Sequence, residues 1–368
     1  MSNRQKTEKR LQADGLPTLI GSVPAADHDT ALEWIFRSTP FIPLWPQLPA
    51  NPRERMMHQF SEGLPGIVES DERIYFDTAT ASFEAEQLAF FEDYLRVMED
   101  PALLLDSRFA TSRERANGLY LFREAVPDVA EARAVKGQIT GPFTLLTGIT
   151  DLNDRLGFYD PAIREIVVKG LAMKAAWQVR FLREKLDLPV LLFIDEPALA
   201  GLGSSTMITI SRDEIAVDLA EVIEAVHGAG GLAGVHVCAN TDWDLLLRSD
   251  IDILSFDAHG YFDRLVTCDE GLHHFLDRGG ILAWGIVPTA DEEVIRRASP
   301  PALAALWQEQ AAQLTAVGRD LEAILHQTLI TPSCGTGSLT PVTARRVLSM
   351  TAEVSKMLRR EILGEDGS

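Results

Sequence analysis

The chain has 368 residues, 46% hydrophobic and 24% charged, a balance that suits a soluble globular protein with a sizeable core. Its formal net charge of −20 would be repelled by nucleic acid and by anionic membranes, so neither is an expected partner. No apolar run approaches the ~20 residues that span a bilayer, the N-terminus lacks the apolar stretch of a secretory leader, and an odd three cysteines point to free thiols in a reducing cytoplasm.

The first residues, 1–17, read as a mobile tail ahead of the folded domain. Two short β-rich runs follow, "TLIGS" (18–22) and "FIPLW" (41–45). The next stretch, about 46–133, is too long for one connection and reads as a helical insertion over the barrel mouth, with "SFEAEQLAFFEDYLRVMED" as one of its helices. Further strands are expected at "AVKGQI" (134–139), "VLLFID" (190–195), "AGVHV" (233–237), "DILSF" (252–256), "ILAWGIV" (281–287) and "QTLIT" (327–331). Helices fill most of the gaps. Asp160-Pro161, Ser299-Pro300-Pro301 and Thr340-Pro341 each place a capping residue before a proline suited to the first helical turn. In the last of these helices Val347, Met350, Thr351, Val354, Met357 and Leu358 form one stripe, which reads as core packing.

Near-continuous apolar strands alternating with helices, eight times over, predict an α/β protein, a (β/α)8 TIM barrel. With no internal repeat and no low-complexity linker, residues 18–368 are expected to form a single domain, with the insertion after the second strand.

Active sites of such barrels lie at the C-terminal ends of the strands. Those ends carry Ser22, then Gln47, then "TGP" (140–142), Asp195-Glu196, His236 and Cys238, Asp257, and Cys334. His236 and Cys238 are two apart, so strand periodicity aims both side chains the same way. Asp257 ends the next strand, and Cys334 follows the last one within "TPSCGTG", whose glycines allow a tight loop. Two sulfurs, an imidazole and a carboxylate suit zinc (Zn2+) better than magnesium or calcium. Each has a plainer reading: a lone cysteine is most often a small buried hydrophobe, and a lone histidine a hydrogen-bonded core residue. Asp195 and Glu196 could bind a substrate ammonium or handle protons, or could cap nearby loop amides. Cys268, in an expected helix away from the mouth, receives no role.

"TLIGSVP", "ITGPFTLL", "FIDEPAL", "GVHVCAN", "DILSFDA" and "TPSCGTG", in that order, resemble the catalytic barrel of cobalamin-independent methionine synthase, within the uroporphyrinogen-decarboxylase-like superfamily. The resemblance covers roughly residues 18–340. It implies that His236, Cys238, Asp257 and Cys334 hold zinc, although the family usually has Glu at the position of Asp257. It also implies that Asp195 helps hold a substrate amino group and that Ser22 lies near the substrate carboxylate. Three features depart from that family. The chain leaves no room for the N-terminal barrel that helps bind a polyglutamylated folate. The family's His-Gly-Glu is "QLP" at 47–49, and "WGIVPT" lacks the catalytic histidine that follows the seventh strand.

A zinc site with two thiolates and a carboxylate is a poor activator of water but can lower the pKa of an incoming thiol from about 8.5 toward neutrality. The expected protein is therefore a zinc-dependent methyltransferase that methylates a small thiol. Homocysteine, giving methionine, is the leading acceptor and a methylated corrinoid, or its carrier protein, the leading donor. The alternatives are a methylcobamide:thiol methyltransferase acting on another thiol such as coenzyme M, and a non-catalytic zinc-barrel partner of a corrinoid protein. Asp195 is the expected catalytic group, with Ser22 and Glu196 beside it at the substrate.

Overall fold

The computed structural model describes residues 11–70, 73–203, 207, 209–315 and 319–365. Nine strands are found among them: β1 (Leu16–Pro17), β2 (Ile67–Glu69), β3 (Ile74–Phe76), β4 (Val135–Thr140), β5 (Val190–Asp195), β6 (Leu232–Val237), β7 (Ile253–Phe256), β8 (Ile281–Val287) and β9 (Thr328–Pro332). Seven form one all-parallel sheet in the order β1-β9-β8-β7-β6-β5-β4. The sheet curls. Its inner face gathers Leu16, Leu191, Phe193, Ile253, Ala283 and Leu329, from strands far apart in that order, into one apolar cluster. A larger cluster fills the space between the outer face and the helices. Both faces are covered, which is why these strands read as apolar runs.

The expected second strand, 41–45, is not a strand. Pro40, Pro43 and Pro46 recur every third residue, and each lacks the N–H that a ladder needs. The segment is held instead by isolated bridges, Leu44 to Lys136 on one side and Gln47 to Ser22 on the other. Side chains complete its hydrogen bonding: Thr18 Oγ1 donates to the Ile42 carbonyl at 2.9 Å and Gln138 Nε2 to the Trp45 carbonyl at 3.0 Å. The result is a curled seven-stranded half-barrel with an irregular segment between its edge strands, where eight regular strands were expected.

The first strand is also displaced: it ends at Pro17, and the expected run 18–22 holds only an isolated bridge at Ser22. β1 starts at Leu16 and pairs with β9, Ala13 and Leu16 are buried, and Ser355 Oγ donates to the Gly15 carbonyl at 2.6 Å. Burial thus holds residues 13–17, within the span read as a tail; residues 1–10 lie outside the described residues. The insertion is only partly helical. It holds helices Phe83–Glu99 and Asn117–Ala125 but also the antiparallel hairpin β2–β3. Its beginning meets the C-terminal end of β4, where Thr140 Oγ1 donates to the Met56 carbonyl at 2.9 Å.

The proline-led helices form where expected, at Pro161–Arg183, Pro300–Leu314 and Pro341–Leu363, although Ser299 makes no side-chain capping bond. Asp160 accepts from the Ala162 and Ile163 amides, and Thr340 from Thr343. In the last helix Val347, Met350, Thr351, Val354 and Leu358 are buried, as the stripe predicts. No helix among the described residues is long and apolar enough to cross a membrane.

Candidate metal centre

Pairing register carries the site across four strands. Thr140 stands opposite Asp195, Asp195 opposite His236, and His236 opposite Ser255. His236 is 3% exposed. Its Nδ1 lies 2.9 Å from Ser255 Oγ, whereas Nε2 is buried with no hydrogen-bond partner. Cys238, just past β6, and Cys334, just past β9, bring their sulfurs to this histidine: one ligand atom from each of His236, Cys238 and Cys334 lies within 4.8 Å of the others. All three cysteines of the chain are free thiols. The Cys238 thiol is brought down to about 4, first by its hydrogen bond with Cys334 and then by His236. Cys334 moves the opposite way, through that same hydrogen bond and through burial. Two sulfurs beside a buried, unpartnered imidazole nitrogen make a soft donor set that fits zinc.

No family model matches the chain, and no curated protein matches it. Solved structures do match. A methyltransferase from Methanosarcina mazei is similar over 92% of this chain and 94% of its own, with a TM-score of 0.53 and 14% identity. A candidate vitamin-B12-independent methionine synthase from Listeria monocytogenes is similar over 67% of this chain and 70% of its own, with a TM-score of 0.43 and 15% identity. The first of these likenesses shows a shared fold.

The loop that carries Cys334 is fastened on both sides. Ser333 N–H donates to the Val287 carbonyl at 2.8 Å, and Ser333 Oγ lies 2.9 Å from Thr289 Oγ1. Beyond Cys334, the Thr336 N–H donates to the Ser22 carbonyl at 2.8 Å and the Gly337 N–H to Ser22 Oγ at 3.3 Å. Gly335 permits this approach, since a Cβ there would lie 2.2 Å from Ser22 Oγ. Ser22 therefore acts on the loop of Cys334.

Asp257, expected beside the sulfurs, is not one of the three grouped residues. Its Oδ1 accepts from the Gly260 N–H at 2.9 Å and so caps helix Ala258–Leu265. Burial raises its pKa against the pull of that amide. Glu196 is likewise committed to structure. One of its oxygens accepts from the Phe143 N–H at 3.0 Å; the other accepts from the Thr144 N–H at 2.8 Å and Thr144 Oγ1 at 2.6 Å. These bonds cap helix Pro142–Gly148 from across the sheet, and a Cβ on Gly141 would lie 2.2 Å from the carboxylate. Both oxygens of Glu196 are thus engaged in this latch, yet burial still pushes its pKa up to about 7.

Asp195 differs from both. It is 7% exposed, and its Oδ1 has no hydrogen-bond partner. Burial pushes its pKa up to about 6, with His236 and Lys136 pulling the other way. A buried acceptor without a donor is costly, which makes Asp195 the open polar contact of the site. Ser255 and Lys136 went unnoticed in the sequence. Their signal was a polar residue at an inward position of an otherwise apolar strand, two before Asp257 and two before Gln138 respectively. Cys268 precedes helix Asp269–Asp277, outside this group.

Proposed function

We propose that the protein is a zinc-dependent S-methyltransferase of the cobalamin-independent methionine synthase type, acting in the cytoplasm. The observation that carries the reading is the meeting of His236, whose Nε2 is buried and unpartnered, with the sulfurs of Cys238 and Cys334 at the C-terminal ends of parallel strands. The fold shared with a methyltransferase supports it. His236, Cys238 and Cys334 would hold zinc, while Asp257 keeps its capping bond. Bound there, zinc supplies a Lewis acid that lowers the pKa of a thiol toward neutrality.

The acceptor is a small thiol. Asp195 offers an anionic oxygen with no partner, and that suits a thiol carrying an ammonium group, so homocysteine is favoured and methionine is the product. A sulfonate thiol such as coenzyme M would set a second anion against this carboxylate. The acceptor sulfur gives up its proton and forms an S–C bond to the methyl carbon. The bond from that carbon to the donor breaks, and its electron pair stays with the donor. The donor is a methylated corrinoid or its carrier protein.

The test is methyl transfer from methylcobalamin and from methyl-tetrahydrofolate to homocysteine, coenzyme M and 2-mercaptoethanol, using zinc-loaded protein. Methionine from methylcobalamin is the expected product. Failure with every thiol, in protein that binds zinc, would leave a zinc-binding partner of a corrinoid protein in its place.

A further inference from the structure

We infer that Lys136 is a positioning residue of this site: its ammonium is the counter-charge that lets Asp195 stand inside the curled sheet as a carboxylate with a free acceptor oxygen. The functional half of this inference rests on the reading above.

Lys136 is wholly buried, in a position where a lone ammonium is rarely tolerated. Its place follows from strand geometry. On β4 it shares a face with Gln138 and Thr140, and Thr140 stands opposite Asp195. Its Nζ donates to the Ile20 carbonyl and to Gln138 Oε1, the latter at 3.2 Å. The ammonium also stands 4.4 Å from the centroid of the Phe193 ring, and Phe193 precedes Asp195 by two residues on the same face of β5. These three partners are neutral. They solvate the ammonium but leave its charge uncompensated: burial draws its pKa down to about 7, and the nearby charge of Asp195 pulls it back up.

The arrangement has a specific result. A direct salt bridge would have used the lone pairs of Asp195. Here the hydrogen bonds of Lys136 go elsewhere, so its charge acts through space and Oδ1 remains without a donor. In a medium of low dielectric such an interaction is strong at a distance where water would screen it. The site thus holds a carboxylate that is electrostatically balanced and still hungry for a hydrogen bond, which an ammonium-bearing substrate satisfies.

A double-mutant cycle tests this. Lys136→Met, Asp195→Asn and the double variant are unfolded in urea, with and without zinc. Lys136→Met should lower the midpoint, because it strands a buried carboxylate, and Asp195→Asn in that background should restore much of the loss. If Lys136 serves only to tie down Ile20 and Gln138, the two changes will add, and the inference is overturned. Should Lys136→Met fail to fold, recovery of folded protein in the double variant is the expected result, and failure of both overturns it. In turnover, Lys136→Met should raise the KM for homocysteine about tenfold and leave 2-mercaptoethanol within about twofold. Equal losses for both thiols also overturn it. If the parent protein methylates no thiol, the proposed activity falls, and the stability cycle still decides the role of Lys136.

Discussion

Ser255 Oγ lies 2.9 Å from Nδ1 of His236, on the neighbouring strand, and this contact engages one of the two ring nitrogens. With Nδ1 engaged, Nε2 is left buried and without a partner. A hydroxyl that fixes a ligand's ring in this way contributes to metal affinity without touching the metal. Ser255→Ala should weaken zinc binding about 10- to 100-fold while the fold survives. Competition against a chromophoric chelator measures it, and unchanged affinity would show that packing alone orients the ring.

Cys238→Ser and Cys334→Ser should each remove most of the bound zinc. Neither cysteine belongs to a strand, so circular dichroism should be unchanged. Parent protein should carry about one zinc per chain, and an added thiol should contribute one more Zn–S contact at about 2.3 Å by X-ray absorption. Full zinc in both variants would remove the site from consideration.

Asp257 offers a sharper choice, because a ligand and a helix cap respond differently to substitution. As a cap, Asp257→Asn should leave zinc content and stability close to the parent, and Asp257→Ala should cost about 1 kcal/mol of stability with zinc retained. Loss of zinc in Asp257→Asn would make the carboxylate a ligand after all.

Glu196 supplies a pH signature. Burial raises its folded pKa from 4.5 to about 7, so between those values the folded state holds a proton that the unfolded chain releases. Stability from this group is complete below about pH 4.5 and is lost as pH rises toward and through 7. Glu196→Gln, which cannot ionise, should show a flatter dependence of urea midpoint on pH across this window. A parent curve no steeper than the variant's would mean that the three donors from Phe143 and Thr144 keep the carboxylate ionised.

Gly335→Ala would place a methyl group 2.2 Å from Ser22 Oγ, and the loop must shift to relieve it. Because Cys334 is the preceding residue, zinc affinity should fall more than global stability does. Ser22→Ala in the same chain removes the oxygen that the methyl group meets and should recover part of the affinity.

Much of the fold was legible because parallel strands covered on both faces are uniformly apolar. β5 and β8 span the expected residues, and the other strands from β4 onward shift by a residue at one or both ends. The segment 41–45 misled because its apolar residues suit a strand while its prolines remove the donors of one. The convergence of His236, Cys238 and Cys334 was readable from period-two spacing and from position at strand ends. Asp257 was not, since an aspartate before a helix has the same sequence signature whether it caps amides or holds a metal. Glu196 and Ser22 were obscured differently. What they touch lies 52 and more residues away in the chain, at Thr144 and Thr336, and no local pattern announces a partner across the sheet.

The bonds from Thr336 to Ser22 join residues 314 apart in sequence, and β9 pairs with β1 just beneath them. His236 and Cys238 are available once β6 has formed, but the second sulfur arrives only when the final strand docks against the first. Contacts of such long range are slow to form, because the chain must surrender much of its freedom before they repay it. With the proposed zinc site, metal capture would fall at the end of assembly. A nascent chain presents one thiol and an imidazole, a weak trap, and the strong one comes into being only as the scaffold around it is completed. Metallation of the proposed site would then report on finished protein, and zinc shortage would leave folded apoprotein behind.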